Sequence, residues 1–204
     1  AIKKDGTKRS FFLNTTLLNG TVRAMTVLTG GDILVGETNN IERFRSDGQN
    51  VSVADDGLSG AWPKLNVQTA IQGLSQLSDN GFVACSTTSD VVRTYDKTFT
   101  QLGSAASGIA GTTDVIACLG LSGGAVLAVF SGTTDTVRKY SSSNLGTTTW
   151  SFSQLSVLGS PSDAAVRENG NILVTDSVNN YVVELTSSGT LVGVLQGPDI
   201  DIDN

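Results

Sequence analysis

Asn169-Gly-Asn-Ile-Leu-Val-Thr-Asp176-Ser-Val-Asn-Asn-Tyr-Val-Val-Glu-Leu185 is the stretch that decides the architecture. An Asn-Gly pair supplies the positive φ of a tight turn. A short apolar run of strand length follows, then a polar Asp-Ser-x-Asn-Asn turn. A second strand then ends in a large apolar residue. Thr186 to Gly189 turns the chain again.

The same pattern recurs three times upstream. It reads Gly30-Gly-Asp-Ile-Leu-Val-Gly-Glu37-Thr-Asn-Asn-Ile-Glu-Arg-Phe44, Asn80-Gly-Phe-Val-Ala-Cys-Ser86-Thr-Thr-Ser-Asp-Val-Val-Arg-Thr-Tyr95, and Gly123-Gly-Ala-Val-Leu-Ala-Val-Phe-Ser131-Gly-Thr-Thr-Asp-Thr-Val-Arg-Lys-Tyr140. The turn glycines Gly31, Gly81, Gly124 and Gly170 are spaced by 50, 43 and 46 residues. Four-stranded propeller blades repeat at about 40–50 residues, so the period predicts all-β blades. Helical periodicity is absent almost everywhere, and Val67 to Leu77 aligns better as an inner strand.

With strands a to d counted from the ring centre, the first repeat places them near 22–28, 33–36, 41–45 and 49–54. The fourth places them near 162–167, 171–175, 181–186 and 190–195. The repeats span about 22–54, 67–102, 114–157 and 162–195, and residues 1–204 read as a single propeller or propeller-fragment domain. Ile2-Lys-Lys-Asp5-Gly6 aligns with Phe44-Arg-Ser-Asp47-Gly48, so residues 8–13 read as an orphan outer strand. Three outcomes stand open: a ring closed at four, a ring shared by two chains, or a piece of something larger. The expectation leans to a partial or assembled ring, with homo-oligomer contacts through exposed blade edges.

The fourth repeat resembles the NHL repeat, an apolar strand, Asp-Ser-x-Asn-Asn, and a second strand before a Gly turn. The first repeat keeps Asn39 and Asn40 and has Glu37 where Asp176 stands. The second and third carry Ser86 and Ser131 there and lack the Asn pair. The resemblance implies a propeller and a preference for binding roles. Gluconolactonase-like relatives hold a divalent cation at the ring centre, but their ligand set has no residue-by-residue match here.

Composition narrows the chemistry. There is no histidine, which removes Ser-His-Asp and Cys-His catalysis and His-ligated metals. No GxGxxG, P-loop or GxSxG motif occurs. These absences argue for a non-catalytic binding or scaffolding propeller with a protein or carbohydrate ligand and no cofactor. Two alternatives remain: a cation-dependent enzyme acting on a lactone or sugar, with calcium as the ion, and a structural subunit completing a ring by oligomerisation. Net charge is −6, against a nucleic-acid partner. Lys3, Lys4, Lys8 and Arg9 read as a solvated segment. Charged residues make up 16 %, against roughly 25 % in ordinary domains, which hints at export to the periplasm, cell surface or medium. No apolar run is long enough for a membrane span. The sequons at Asn14, Asn19 and Asn50 carry little weight in so Asn- and Thr-rich a chain.

Propeller geometry puts the b–c turns and d–a connections on one ring face. That face gathers the candidate ligand-binding residues Glu37, Asn39, Asn40, Asp90, Asp135, Asp176, Asn179 and Asn180, with Thr88 and Thr134 beside them. The lengthened link Asp55-Asp56-Gly-Leu-Ser-Gly-Ala-Trp62-Pro63 adds two acids and an aromatic suited to a partner contact. Trp150 reads as outer-strand packing. The acids Asp199, Asp201 and Asp203 alternate like the opening of a calcium loop, but the Gly and distal Glu are missing, so they read as an acidic tail. Cys85 and Cys118 lie 33 residues apart, too far for CxxC. They read as buried thiols or as a disulfide between neighbouring sheets.

Overall fold

Local turn chemistry and short apolar runs build four antiparallel sheets. The structure, a computed structural model, describes residues 18, 20–38, 40–45, 70–78, 81–88, 90–106, 113–141, 143–154 and 156–195. Blade 1 contains β1 (Ala24–Val27), β2 (Ile33–Gly36) and β3 (Ile41–Phe44). Blade 2 contains β4 (Ile71–Gln76), β5 (Phe82–Ser86), β6 (Val91–Tyr95) and β7 (Gln101–Ala106). Blade 3 contains β8 (Thr113–Gly120), β9 (Val126–Gly132), β10 (Thr136–Tyr140) and β11 (Thr148–Phe152). Blade 4 contains β12 (Pro161–Val166), β13 (Ile172–Asp176), β14 (Tyr181–Leu185) and β15 (Leu191–Leu195). Within each blade consecutive strands are neighbours.

These are the expected a–b–c–d blades. The fourth strand of blade 1, expected at 49–54, and the orphan strand at 8–13 lie outside the described residues. The segment read as an inner strand does form one, β4, and β7 runs past the expected boundary at 102. One short 3₁₀ turn, Ser122–Gly124, joins β8 to β9. Among the described residues no helix is long and apolar enough to cross a membrane.

The a strands β1, β4, β8 and β12 pack on one another in chain order, which makes them the inner strands. The middle strands of blades 2 and 3 therefore lie between two other blades. That explains why β5 is buried along its whole length while the outer β11 is mostly exposed. One side of each blade, here the forward face, meets the rear face of the next. Leu34 packs with Phe82 and Ala84. Val83 and Cys85 pack with Val126, Ala128 and Phe130. Leu127 and Val129 pack with Ile172 and Val174.

The large residues that end each c strand, Phe44, Tyr95, Tyr140 and Leu185, are all buried. Burial of such side chains contributes about 1.5–3 kcal/mol each. Tyr95 also stacks on Phe82, with ring centroids 4.9 Å apart. Close approach of inner strands requires glycine at one point: a Cβ at Gly120 would collide with the backbone carbonyl of Gln76 in blade 2.

The forward face of blade 4 breaks the rule. Ala24, Gly73 and Ala117 pair with Gly36, Cys85 and Val129, but at the same register Asp163 pairs with Thr175. Leu28, Leu77 and Leu121 each close an a–b turn by donating their backbone N–H to the carbonyl four residues on, and Arg167 occupies that place in blade 4. Arg167 and Asn171 both donate to Glu184, at 3.2 and 2.7 Å. No described strand packs broadly on this face. This face thus carries Asp163, Arg167, Thr175 and Glu184 beside the apolar Leu173, Val182 and Leu195.

Candidate functional site

The b–c turns share one face with the starts of the a strands. Ile71 N donates to Glu37 O at 3.4 Å, and Ser177 N donates to Ser160 O at 2.9 Å. On this face the structure separates carboxylates that hold turns together from one that does not.

Asp176 belongs to the first group. Its carboxylate accepts backbone N–H groups from Gly159 (2.6 Å), Ser160 (3.1 Å), Val178 (3.2 Å) and Asn179 (2.9 Å). Burial opposes ionisation, but these four bonds outweigh it and bring the pKa below its ordinary value. Asn179 packs its amide beside Gly159, and Asn180 adopts the left-handed conformation at φ 54°. Asp135 is buried and accepts the Gly132 N–H at 3.0 Å. Glu37 is fully buried, and its N–H donates to Asn40 O at 2.8 Å. The carboxylates of Asp176 and Asp135 thus serve as turn scaffolding, holding backbone N–H groups. Asn39, Asp55, Asp56 and Trp62 lie outside the described residues.

Asp90 is different. It sits in the β5–β6 turn in the left-handed region, φ 48°, and faces Asp114 near the start of β8 in the next blade. Its Oδ1 is buried with no hydrogen-bond partner among the described residues. Burial raises the Asp90 pKa first, and the charge of Asp114 and a hydrogen bond to it raise it further. Asp114 itself is exposed, so the pair opens to solvent. Adjacent negative charges repel, which is how Asp114 adds to the rise at Asp90.

Asp114 was not among the residues expected from sequence. The signal was there: an acid in a b–c turn, then an acid at the start of the next a strand, two places this topology joins. Among the described residues no group of three Asp, Glu, Cys or His side chains is arranged to hold a metal ion.

Other features lie away from the pair. Trp150 packs as expected from its sequence: its Nε1 donates to Ser187 O at 3.1 Å in blade 4, and Gly189 lies against its ring. A cavity of about 330 Å³ opens between the a–b turns of blades 3 and 4, beside Leu121, Val166 and Lys139. Lys139 Nζ donates to Ser187 O at 3.1 Å. Cys85 and Cys118 are both free and buried.

No protein-family model matches the chain, and no curated protein matches it in sequence. Solved structures do match its fold. A streptogramin B lyase aligns over 98 % of this chain and 62 % of its own, with TM-score 0.71 and 13 % identity. A catalytically inactive histidine-to-alanine variant of virginiamycin B lyase from Staphylococcus aureus, with quinupristin, aligns over 98 % and 62 %, with TM-score 0.68 and 15 % identity. A protein of unknown function from Bacteroides caccae aligns over 81 % and 57 %, with TM-score 0.56 and 15 % identity. The chain therefore spans less than two thirds of the length of each.

The all-β propeller architecture stands, without a match specific to the NHL repeat. The expectation that the chain is not an enzyme is corrected: its fold is shared with a lyase, so the fold does not argue against catalysis. Missing histidine excludes imidazole chemistry alone, and the sequence left carboxylate chemistry open without nominating a pair.

Proposed function

We propose that the b–c face binds a neutral, oxygen-rich ligand, a sugar or a cyclic ester, and that Asp90 and Asp114 move a proton on it. The observation that carries this reading is the facing carboxyl pair, one member half-buried with its pKa raised. A general acid works best when its pKa approaches the working pH, and mutual repulsion of two carboxylates is a standard way to raise one. Two carboxylates also supply part of the oxygen shell a calcium ion takes, so the ion belongs in the test. Low charge content accords with an exported setting in which such ligands are met.

The test is a panel of neutral oligosaccharides and lactones, each with and without calcium, followed by thermal shift and product formation. A ligand that raises the melting temperature and is turned over, with Asp114→Asn losing turnover, supports the reading. Saturable binding that both Asp90→Asn and Asp114→Asn leave unchanged would sink it.

A further inference from the structure

Each blade junction brings equivalent residues near one another, one from the b strand of a blade and one from the a strand of the next. At the first junction the pair is Gly36 with Leu74, whose Cδ1 would lie 3.0 Å from a Cβ on Gly36. At the third it is Val129 with Ala164, in one core cluster. At the second it is Cys85 with Cys118, also in one cluster. Only this junction carries a reactive pair.

The two sulfurs converge beside Gly73. A Cβ there would stand 2.6 Å from Cys85 Sγ, 3.2 Å from Cys118 Sγ and 3.1 Å from the Cys118 amide nitrogen. Glycine at 73 leaves the space in which the thiols meet. Both cysteines are almost wholly buried, Cys85 at 0 % and Cys118 at 3 % exposure. Burial, then the neighbouring Cys85, raises the Cys118 pKa and keeps the thiol unreactive in the folded chain.

We infer that Cys85 and Cys118 form a disulfide that staples blade 2 to blade 3 when the chain folds in an oxidising compartment. The oxidant is a small disulfide such as oxidised glutathione. One cysteine thiolate attacks it, forming a mixed disulfide and releasing one small thiol. The second cysteine then gives up its proton and attacks the mixed disulfide at its protein sulfur, releasing the second small thiol. The two cysteines are oxidised, the small disulfide is reduced, and the two cysteine protons end on the two released thiols. Exchange takes place during folding, before the junction buries both sulfurs. The bond spans the junction that also holds Asp90 and Asp114.

The experiment refolds the full chain in a reduced or an oxidised glutathione buffer. Free thiols are then titrated in denaturant, and peptides are mapped by mass spectrometry. The expected result is two titratable thiols after reduced refolding, and none after oxidised refolding, with the Cys85 and Cys118 peptides linked. The oxidised form should melt about 5–10 °C higher. Cys85→Val with Cys118→Ala installs the pair found at the third junction, so it keeps the packing, and its melting temperature should not depend on the buffer. Thiols that stay free in the oxidised buffer, glutathione adducts without linkage, or a linked form that melts no higher would each overturn the inference.

Discussion

Asp90 and Asp114 face each other across the junction of the second and third blades, one from a b–c turn and the other from the start of an inner strand. Neither has such a partner within its own blade. The junction makes the pair, and the pair's protonation should report it.

Removing the charge at Asp114 is therefore expected to lower the Asp90 pKa without returning it fully to 3.8, since burial, the larger cause, remains. Carboxyl resonances followed through a pH titration of Asp114→Asn would show it. An unchanged Asp90 titration would mean that the two groups do not interact.

The same shift fixes a stability trend. A carboxyl whose folded pKa is raised binds its proton more tightly when folded. It therefore costs stability above the unfolded value of 3.8, with the cost growing until the folded pKa is passed. Asp90→Asn should melt higher than the parent at neutral pH, and the difference should vanish below about pH 3.8. Asn suits the left-handed φ at this position, so the turn is kept. A melting difference independent of pH would contradict this.

Asp176 should behave in the opposite sense. Its folded pKa is lowered, so its contribution is present above 3.8 and is lost as pH falls further through the folded pKa. Asp176→Ala leaves four backbone donors without their acceptor and should cost about 2–3 kcal/mol at neutral pH. Urea unfolding at neutral pH and at a series of pH values below 3.8 would show the cost and its decline as the carboxyl is protonated.

Two glycines test the packing of the inner ring. Gly120→Ala drives a methyl group into the Gln76 carbonyl and should cost about 3 kcal/mol. Gly193→Ala meets nothing within 4 Å and should stay within about 0.5 kcal/mol of the parent. Equal effects in denaturant melts would refute the close approach of β4 and β8.

The charged inner-strand positions on the forward face of blade 4 make a further prediction. Asp163→Ala with Arg167→Leu gives this face the residue types found in the other blades. An apolar sheet face with no blade upon it invites self-association. Light scattering behind size exclusion should show a mass increase over the parent at equal concentration. An unchanged mass would mean that Asp163 and Arg167 do not guard the face.

Strands, turns and blade order were legible in the sequence because they rest on local chemistry: glycine at positive φ, short β-branched runs, and a period set by four strands. Gly31, Gly124 and Gly170 all carry the positive φ their turns required. The candidate site was less legible for a physical reason. An Asp in a turn looks the same in sequence whether or not its oxygens are already spoken for. Asp176 and Asp90 were both read as turn acids on one ring face, yet one accepts four backbone bonds and the other faces a like charge. The sequence by itself determined that this chain folds into β blades and that imidazole chemistry is closed to it. Which carboxylates meet, and that two thiols converge beside Gly73, were decided only by tertiary structure, because each depends on contacts between blades.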